Sequence, residues 1–252
     1  MSDRPVVSVV VPFFNNKRHI AACIESLLGQ REVGGPYELI LIDNRSTDGS
    51  ASIVAGFSGL TLLDEQTPGA YAARNTGIRA ARAPLIAFTD ADCVVDADWL
   101  RTIRDGMREP SIGILLGHIR YPGRASPAMR LLGAYENAKT EYVMNHCPPA
   151  FHYGYANNMA VRASIFTELG LFEEWQRAAD SELIHRLASR RPELRPAFQR
   201  SMRVTHMEFL HARDRARRLR LYTRTNARIE TFRELGLGQR LGTLLHLLRL
   251  ES

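Results

Sequence analysis

The sequence predicts an α/β fold in which helices flank a mostly parallel central sheet. Runs of β-branched and apolar residues, typical of buried parallel strands, lie at 6–11, 37–42 and 85–89. Between the first two, apolar residues at 19–28 recur every three to four positions, as on a helix that packs against a sheet. This alternation predicts a β-α-β unit with a right-handed crossover.

The rest of the chain predicts further elements, although the alternating rhythm is lost from about residue 124. Pro12 is expected to end the first strand because proline lacks the N–H that a sheet ladder needs. Additional strands are expected at 60–63, 112–116 and 202–205, and additional helices at 51–57, 70–83, 96–107, 127–144 and 179–188.

Length and cysteine content limit the class of protein. A chain of 252 residues suits one large domain, or one domain with an appendage. No apolar run approaches the roughly 20 residues that span a bilayer, and residues 1–5 are no signal peptide, so we expect a cytoplasmic protein. The three cysteines are scattered and odd in number, which favours reduced thiols.

The net charge of +6 resides in the C-terminal segment. Residues 212–252 hold 10 arginines and 4 acidic residues, whereas residues 1–211 hold 23 residues of each sign. One arginine face and one leucine face predict a basic amphipathic helical tail. Such a tail suits the inner face of the cell membrane, a second subunit, its own domain or an acidic partner, or it is simply a solvated helix face. No nucleic-acid partner is expected, because the body is neutral and carries no DNA-reading motif.

Polar residues follow three predicted strands, at Pro12, Asp43 and Asp90. The carboxyl ends of parallel strands meet at one sheet edge, where ligands bind. Asp90 and Asp92 offer hard oxygen ligands to a divalent cation, although an isolated Asp-x-Asp is more often a solvated strand end.

Several stretches, taken in order, resemble one family. The nucleotide-binding stretches are 9–15, 42–50, 68–78 and 90–92, and the later stretches are 157–166, 170–174 and 180–187. Together they resemble a family 2 glycosyltransferase of the GT-A fold, over residues 6 to about 206. The resemblance divides residues 1–211 into a nucleotide-binding half, about 1–120, and an acceptor-side half, about 121–211.

The resemblance implies inverting transfer of a sugar, usually from a UDP-sugar, to an acceptor hydroxyl on a glycan, a lipid-linked molecule or a small molecule. Because the diphosphate leaving group is anionic, its departure needs a cation such as Mg²⁺ or Mn²⁺. By resemblance the metal ligands are Asp90, Asp92 and His206, and Asp180 is the base that accepts the acceptor's proton. The implied donor-binding residues are Pro12, Phe14, Asp43, Arg74, Asp90 and Ala91.

Each of these residues also has an ordinary structural interpretation. Asp43 is also typical of a turn, Arg74 and Asp180 of a helix surface, and a lone His206 of a surface or core position. The family has Glu before the catalytic Asp, whereas this chain has Ala179. The aromatic residues Trp175, Tyr153 and Tyr155 suit either sugar stacking or the core.

Two other functions compete with glycosyl transfer. A sugar-phosphate nucleotidyltransferase needs a glycine-rich basic loop after the first strand, and residues 12–16 are not such a loop. A noncatalytic polyanion-binding module would use the basic tail.

Overall fold

The computed structural model describes residues 4–175 and 177–208, in which helices flank one eight-stranded sheet. The tail predicted at 212–252 lies outside the described residues. The strands are β1 (Val7–Phe13), β2 (Tyr37–Asp43), β3 (Thr61–Asp64), β4 (Leu85–Thr89), β5 (Cys93–Val95), β6 (Ile112–Arg120), β7 (Asn158–Arg162) and β8 (Arg195–His206). The helices are α1 (Ile20–Leu28), α2 (Ser50–Ala55), α3 (Ala70–Ala80), α4 (Trp99–Gly106), α5 (Pro127–His146), α6 (Ala163–Leu169) and α7 (Ala179–Arg190), with a short 3₁₀ helix at Pro149–Phe151.

The strand order across the sheet is β3-β2-β1-β4-β7-β6-β8-β5. Neighbours from β3 to β4 are parallel, as are β6 and β8. In contrast, β7 runs antiparallel to β4 and β6, and β5 runs antiparallel to β8. The predicted α/β fold with a mostly parallel sheet is confirmed. Within residues 4–175 and 177–208, no helix has the length and apolar composition needed to cross a membrane.

Alternate residues of β1 enter two different core layers, because successive side chains of a strand point to opposite faces. Val7, Val9 and Val11 belong to the layer that contains the apolar faces of α1 and α4. Val10 belongs to the opposite layer, together with residues of α3, α6 and α7. Burial on both faces explains why this strand is apolar except for Ser8, whose hydroxyl donates a hydrogen bond to Glu38 Oε1 at 2.6 Å.

The prediction that Pro12 ends β1 is wrong, because the strand continues to Phe13. Pairing of β1 with β4 stops at Val10, whereas pairing with β2 continues to Phe13. The carbonyl of Phe13 accepts a hydrogen bond from Asn44 N at 2.8 Å, on the β2 side. The backbone groups of successive strand residues point to alternate neighbouring strands, so the nitrogen of Pro12 points to the β4 side. Pairing with β4 has already ended there, and no ladder hydrogen bond is lost.

The strand predicted at 202–205 is only the end of β8, and β5 was not predicted because three residues are too few for a periodic pattern. A bulge separates the two parts of β8. Gly117 of β6 lies opposite Gln199, but the next residue, His118, lies opposite Arg203. The intervening residues of β8 therefore have no partner on β6. The strand bends at this bulge, and its last residues also pair with β5.

The buried side chain of Asn158 stabilises this bulge. Its Nδ2 donates to the carbonyls of His118 and Met202 at 3.1 and 2.9 Å. Its Oδ1 accepts a hydrogen bond from Trp99 Nε1 at 2.9 Å. One amide thereby joins β7, both sides of the bulge and α4.

Gly117 is required beside this amide, which gives a first prediction. A Cβ at Gly117 would lie 2.3 Å from both Asn158 Nδ2 and Met202 O, and neither group can move without breaking the bulge. We expect Gly117→Ala to lower the unfolding free energy by about 1–3 kcal/mol, measured by chemical denaturation.

Gly123→Ala is the matched control, because a Cβ at Gly123 meets nothing within 4 Å. Equal stability losses in the two variants would contradict the role assigned to the bulge.

Candidate functional site

A cleft of about 1380 Å³ lies at the carboxyl ends of β1, β2 and β4, large enough for a nucleotide-sized ligand and a second molecule. Of the residues predicted for the site, those that line the cleft are Pro12, Phe14, Arg74, Asp90, Ala91, Asp92, Asp180 and His206. The fold thus brings residues from both ends of the described chain to one cavity.

Asp43 is buried beside the cleft, and its neighbours Asn44 and Arg45 supply the lining at the end of β2. The Oδ1 atom of Asp43 accepts a hydrogen bond from the backbone N–H of Ser46 at 2.9 Å, as a turn-forming Asp does. Its contact with a nucleobase stays a prediction.

Arg74 on α3, which is buried, forms an ion pair with the partly exposed Asp90 at the end of β4. The helix lies close to the sheet because Gly77 has no side chain: a Cβ there would be 2.4 Å from Val10. The NH2 atom of Arg74 lies 2.5 Å from Asp90 Oδ1. Burial is the largest single influence and lowers the pKa of Arg74, but the charges of Asp90, Tyr71 and Asp180, together with the hydrogen bond to Asp90, outweigh it, so the pKa of Arg74 is raised. Asp90 therefore faces the cleft with its charge already partnered.

Asp92 forms a different cluster, with Cys93 and His206. The Oδ2 atom of Asp92 lies 3.6 Å from His206 Nε2, and one ligand atom from each of the three residues lies within 4.8 Å of the others. Carboxylate and imidazole are a donor set that fits a divalent cation such as Mn²⁺. Of the three predicted metal ligands, the structure brings Asp92 and His206 together, whereas Asp90 pairs with Arg74.

Asp180, in the first turn of α7, is a buried and immobilised carboxylate. Its Oδ2 accepts a hydrogen bond from Ala156 N at 3.0 Å, and its Oδ1 accepts one from its neighbour Ser181 N at 2.9 Å. Burial raises the pKa of Asp180, while the positive charge of Arg74 and these hydrogen bonds act in the opposite direction. The ordinary interpretation of Asp180 as a surface carboxylate does not fit this environment.

The far wall of the cleft comes from α5 and from the loop before β7. Tyr153, Tyr155 and Trp175 all line the cavity. The hydroxyl of Tyr153 lies 2.7 Å from Thr140 Oγ1, and the ammonium of Lys139 lies 5.4 Å from the centre of the Tyr153 ring. Neither Thr140 nor Lys139 was predicted. The spacing of apolar residues shows which face of a helix is buried, but it does not show which of the remaining polar residues line a cavity.

Asn75, the residue after Arg74, joins the two predicted halves of the chain. Its Nδ2 donates to the carbonyl of Phe172 at 2.9 Å, and its Oδ1 accepts from the N–H of Phe172 at 3.1 Å. Asn75 lies within the resemblance at 68–78, but nothing in the sequence indicated a partner 97 residues away. The segment that leads to Asp180 is thereby anchored on α3.

Comparison with known proteins agrees with this geometry. The model of the family described as glycosyl transferase family 2 matches residues 8–170. The chain belongs to this family. The match includes the strand ends that carry Pro12, Asp43 and Asp90, and the predicted family is confirmed.

Curated relatives of the family 2 chain come from archaea and bacteria. Glycosyltransferase AglE of Haloferax volcanii is 28% identical over 178 residues, which are 68% of this chain and 57% of the relative. Glycosyltransferase GlyG of Streptococcus pneumoniae is 30% identical over 45% of this chain and 38% of its own. The chain thus spans only part of the length of these relatives.

Solved structures confirm the GT-A type of fold. S. aureus TarS 1-349 in complex with UDP superposes with a TM-score of 0.60 at 18% identity, covering 80% of this chain and 60% of that fragment. The mannosyltransferase PcManGT from Pyrobaculum calidifontis, in complex with GDP-Man and Mn²⁺, also gives 0.60, at 22% identity, covering 81% and 57%.

The Asn75 contact generates a second prediction. Asn75→Ala would leave the N–H and C=O of Phe172 buried without these partners, at a cost of about 1–3 kcal/mol for each group. We expect faster hydrogen exchange at the Phe172 amide and in the following segment, measured by mass spectrometry on the native protein.

Asn145→Ala, at an exposed position of α5, is the matched control and should leave this exchange unchanged. Unaltered protection around Phe172 in Asn75→Ala would show that the contact does not hold the segment.

Proposed function

We propose that the chain is an inverting glycosyltransferase that moves a sugar from a nucleoside-diphosphate sugar, with UDP-sugars first among the candidates, to an acceptor hydroxyl. The observation that carries this proposal is the buried, oriented carboxylate of Asp180, which lines the same cleft as the Arg74–Asp90 ion pair and the Asp92–His206 pair. Such a combination supplies a base for one substrate and charge complementarity for the leaving group of the other.

The proposed reaction is a single displacement. Asp180 accepts the proton of the acceptor hydroxyl while the hydroxyl oxygen forms a bond with the anomeric carbon of the donor. The bond between that carbon and the diphosphate oxygen breaks, and the nucleoside diphosphate leaves with the bonding electrons. Attack from the face opposite the leaving group inverts the anomeric configuration.

The environment of Asp180 suits the role of a base. Its two backbone hydrogen bonds fix the carboxylate plane, so little reorganisation accompanies proton transfer. Burial raises its pKa and therefore its proton affinity, whereas the charge of Arg74 favours the ionised form that can accept a proton. The net effect is a raised pKa, so the ionised form of Asp180 binds a proton more strongly than an ordinary aspartate does.

Arg74 and a divalent cation would serve the donor side. When Mg²⁺ or Mn²⁺ is bound, with Asp92 and His206 as ligands and Asp90 close by in sequence, it offsets the negative charge that develops on the leaving diphosphate. The complexes of TarS with UDP and of PcManGT with GDP-Man and Mn²⁺ support a nucleotide-sugar donor and a divalent cation. Pro12, Phe14, Asp43 and Ala91 are proposed to contact the nucleoside.

The acceptor side is proposed to be the wall formed by α5 and Tyr153, next to Asp180. A relative of similar identity, poly(ribitol-phosphate) β-N-acetylglucosaminyltransferase TarP of Staphylococcus aureus, is named for a polymeric acceptor. We therefore propose a role in the synthesis of cell-surface glycans or glycoconjugates. Membrane contact or dimer formation through 212–252 is a separate proposal, and that segment lies outside the described residues.

The function is tested by the substitution Asp180→Asn in the full chain. A panel of UDP- and GDP-sugars with Mg²⁺ or Mn²⁺ is first screened for release of nucleoside diphosphate. With the active donor, we expect the substitution to reduce transfer about 10²–10⁴-fold, as for loss of a general base, and to spare donor binding in calorimetry.

The control variant is Asp64→Asn, because Asp64 is exposed on β3. A near-normal transfer rate in Asp180→Asn would exclude Asp180 as the base. Asp92→Asn should abolish the stimulation by metal, and full stimulation in that variant would exclude the metal assignment.

The raised pKa of Asp180 gives a pH prediction. Protonated Asp180 cannot accept a proton, so kcat/KM should fall as the pH decreases through a pKa above the ordinary aspartate value of about 3.9. Initial rates measured across the acid range, with circular dichroism to verify folding, check this limb. An acid limb at or below the ordinary aspartate value would contradict the assignment.

A further inference from the structure

We propose that Cys93 adds a sulfur ligand to Asp92 and His206, so that this corner of the cleft binds Zn²⁺ or another thiophilic cation through a mixed O, S, N site. The proposal shares two residues with the metal site described above. It concerns a different cation class, however, and it holds whether or not the chain transfers sugar.

The sheet places these side chains together. Cys93 and His206 are directly opposite partners in the antiparallel pair β5–β8. Directly opposite residues in such a pair project from the same face, with Cβ atoms about 4.5–5.5 Å apart. Asp92 immediately precedes β5 and turns its carboxylate toward both. Convergence of the three side chains is thus built into the strand register, which the bulge in β8 sets.

The separations match those of ligands around zinc. Zinc bonds of about 2.0–2.3 Å in tetrahedral geometry put neighbouring ligand atoms roughly 3.3–3.8 Å apart. The Sγ atom of Cys93 lies 3.8 Å from Asp92 Oδ1, and His206 Nε2 lies 3.6 Å from Asp92 Oδ2. All three ligand atoms lie within 4.8 Å of one another, so the remaining gap closes with a side-chain adjustment of about 1 Å.

The position of the cluster leaves one side open. Asp92 and His206 line the cleft, whereas Cys93 is completely buried behind them in the apolar layer. A cation that arrives from the cleft would meet the carboxylate and the imidazole first and the sulfur beneath them. Three protein ligands and one position toward the cleft are the arrangement of a zinc site with an exchangeable fourth ligand.

The donor set discriminates between cations. Mg²⁺ prefers oxygen ligands alone, and sites with N, O and S donors bind Zn²⁺ more tightly than Mn²⁺. Zn²⁺ held by Asp92, Cys93 and His206 would occupy two of the groups proposed for the catalytic cation. The expected consequence is inhibition by Zn²⁺ at concentrations well below those of the activating metal.

Cobalt is a suitable probe because Co²⁺ takes the place of Zn²⁺ and reports a thiolate ligand by a charge-transfer band in the near ultraviolet. The full chain without donor is titrated with Co²⁺. We expect this band in the wild type and in Cys147→Ser, the control at a partly exposed position in the loop after α5. We expect no such band in Cys93→Ser. Added Zn²⁺ should remove the band from the wild type by displacing cobalt.

Affinity gives a second comparison. Loss of a residue that merely hydrogen-bonds a metal ligand weakens binding about 10–100-fold, so Cys93→Ser should weaken Zn²⁺ binding by at least that factor in a competition titration. A thiolate band that persists in Cys93→Ser, or equal Zn²⁺ affinities, would overturn the proposal.

Zinc-edge X-ray absorption of the wild-type chain keeps the test valid if Cys93→Ser does not fold. One sulfur at about 2.3 Å in the zinc coordination shell is expected. A shell of oxygen and nitrogen alone would overturn the proposal. Neither spectroscopic readout needs a sugar donor. Failure of the zinc site therefore leaves the glycosyltransferase proposal standing. Conversely, a chain that binds zinc as expected but transfers no sugar would contradict only the glycosyltransferase proposal.

Discussion

The arrangement of the site depends on one buried amide, that of Asn158. Two hydrogen bonds from its Nδ2 satisfy the carbonyls of His118 on β6 and of Met202 in the β8 bulge, and a third, donated by Trp99 Nε1 to its Oδ1, ties this point to α4. Without the bulge, β8 would continue beside β6 in its original register, and a shift in register moves every later side chain. His206, at the end of β8, would then not reach Asp92. A polar residue far from the chemistry thus sets the geometry of the proposed metal ligands.

Charge in the cleft is organised around Arg74. It pairs directly with Asp90 and also acts on Asp180, so one buried cation stabilises negative charge on both of these carboxylates. Asp180 has a raised pKa, so its protonated form favours folding at low pH, and this contribution is lost as the pH rises through the folded pKa. Above its folded pKa the ionised carboxylate therefore costs stability, as is common for functional carboxylates.

The sequence was sufficient where local pattern decides structure. Apolar runs located β1, β2 and β4, and helical periodicity located α1 and α5 within a few residues. It was insufficient where distant partners decide. Pro12 remains in a strand because β4 ends early on one side, and β5 exists only because β8 pairs with it. The same limit applies to the site. The resemblance predicted roles for Asp180 and Asp92, which both line the cleft, but the partners of Asn75 and Cys93 depend on tertiary packing.

The contact between Asn75 and Phe172 has a consequence for enzyme engineering. The Asn75 side chain that binds the backbone of Phe172 is the neighbour of Arg74, so the proposed donor and acceptor surfaces share an anchor. A chimera that exchanges everything after β6 for the corresponding part of a relative would replace Phe172 and its backbone path but keep Asn75. In such a hybrid, the grafted segment needs a backbone N–H and C=O at the position of Phe172 to bind Asn75. The crossover site should be chosen to preserve this contact rather than for overall sequence similarity.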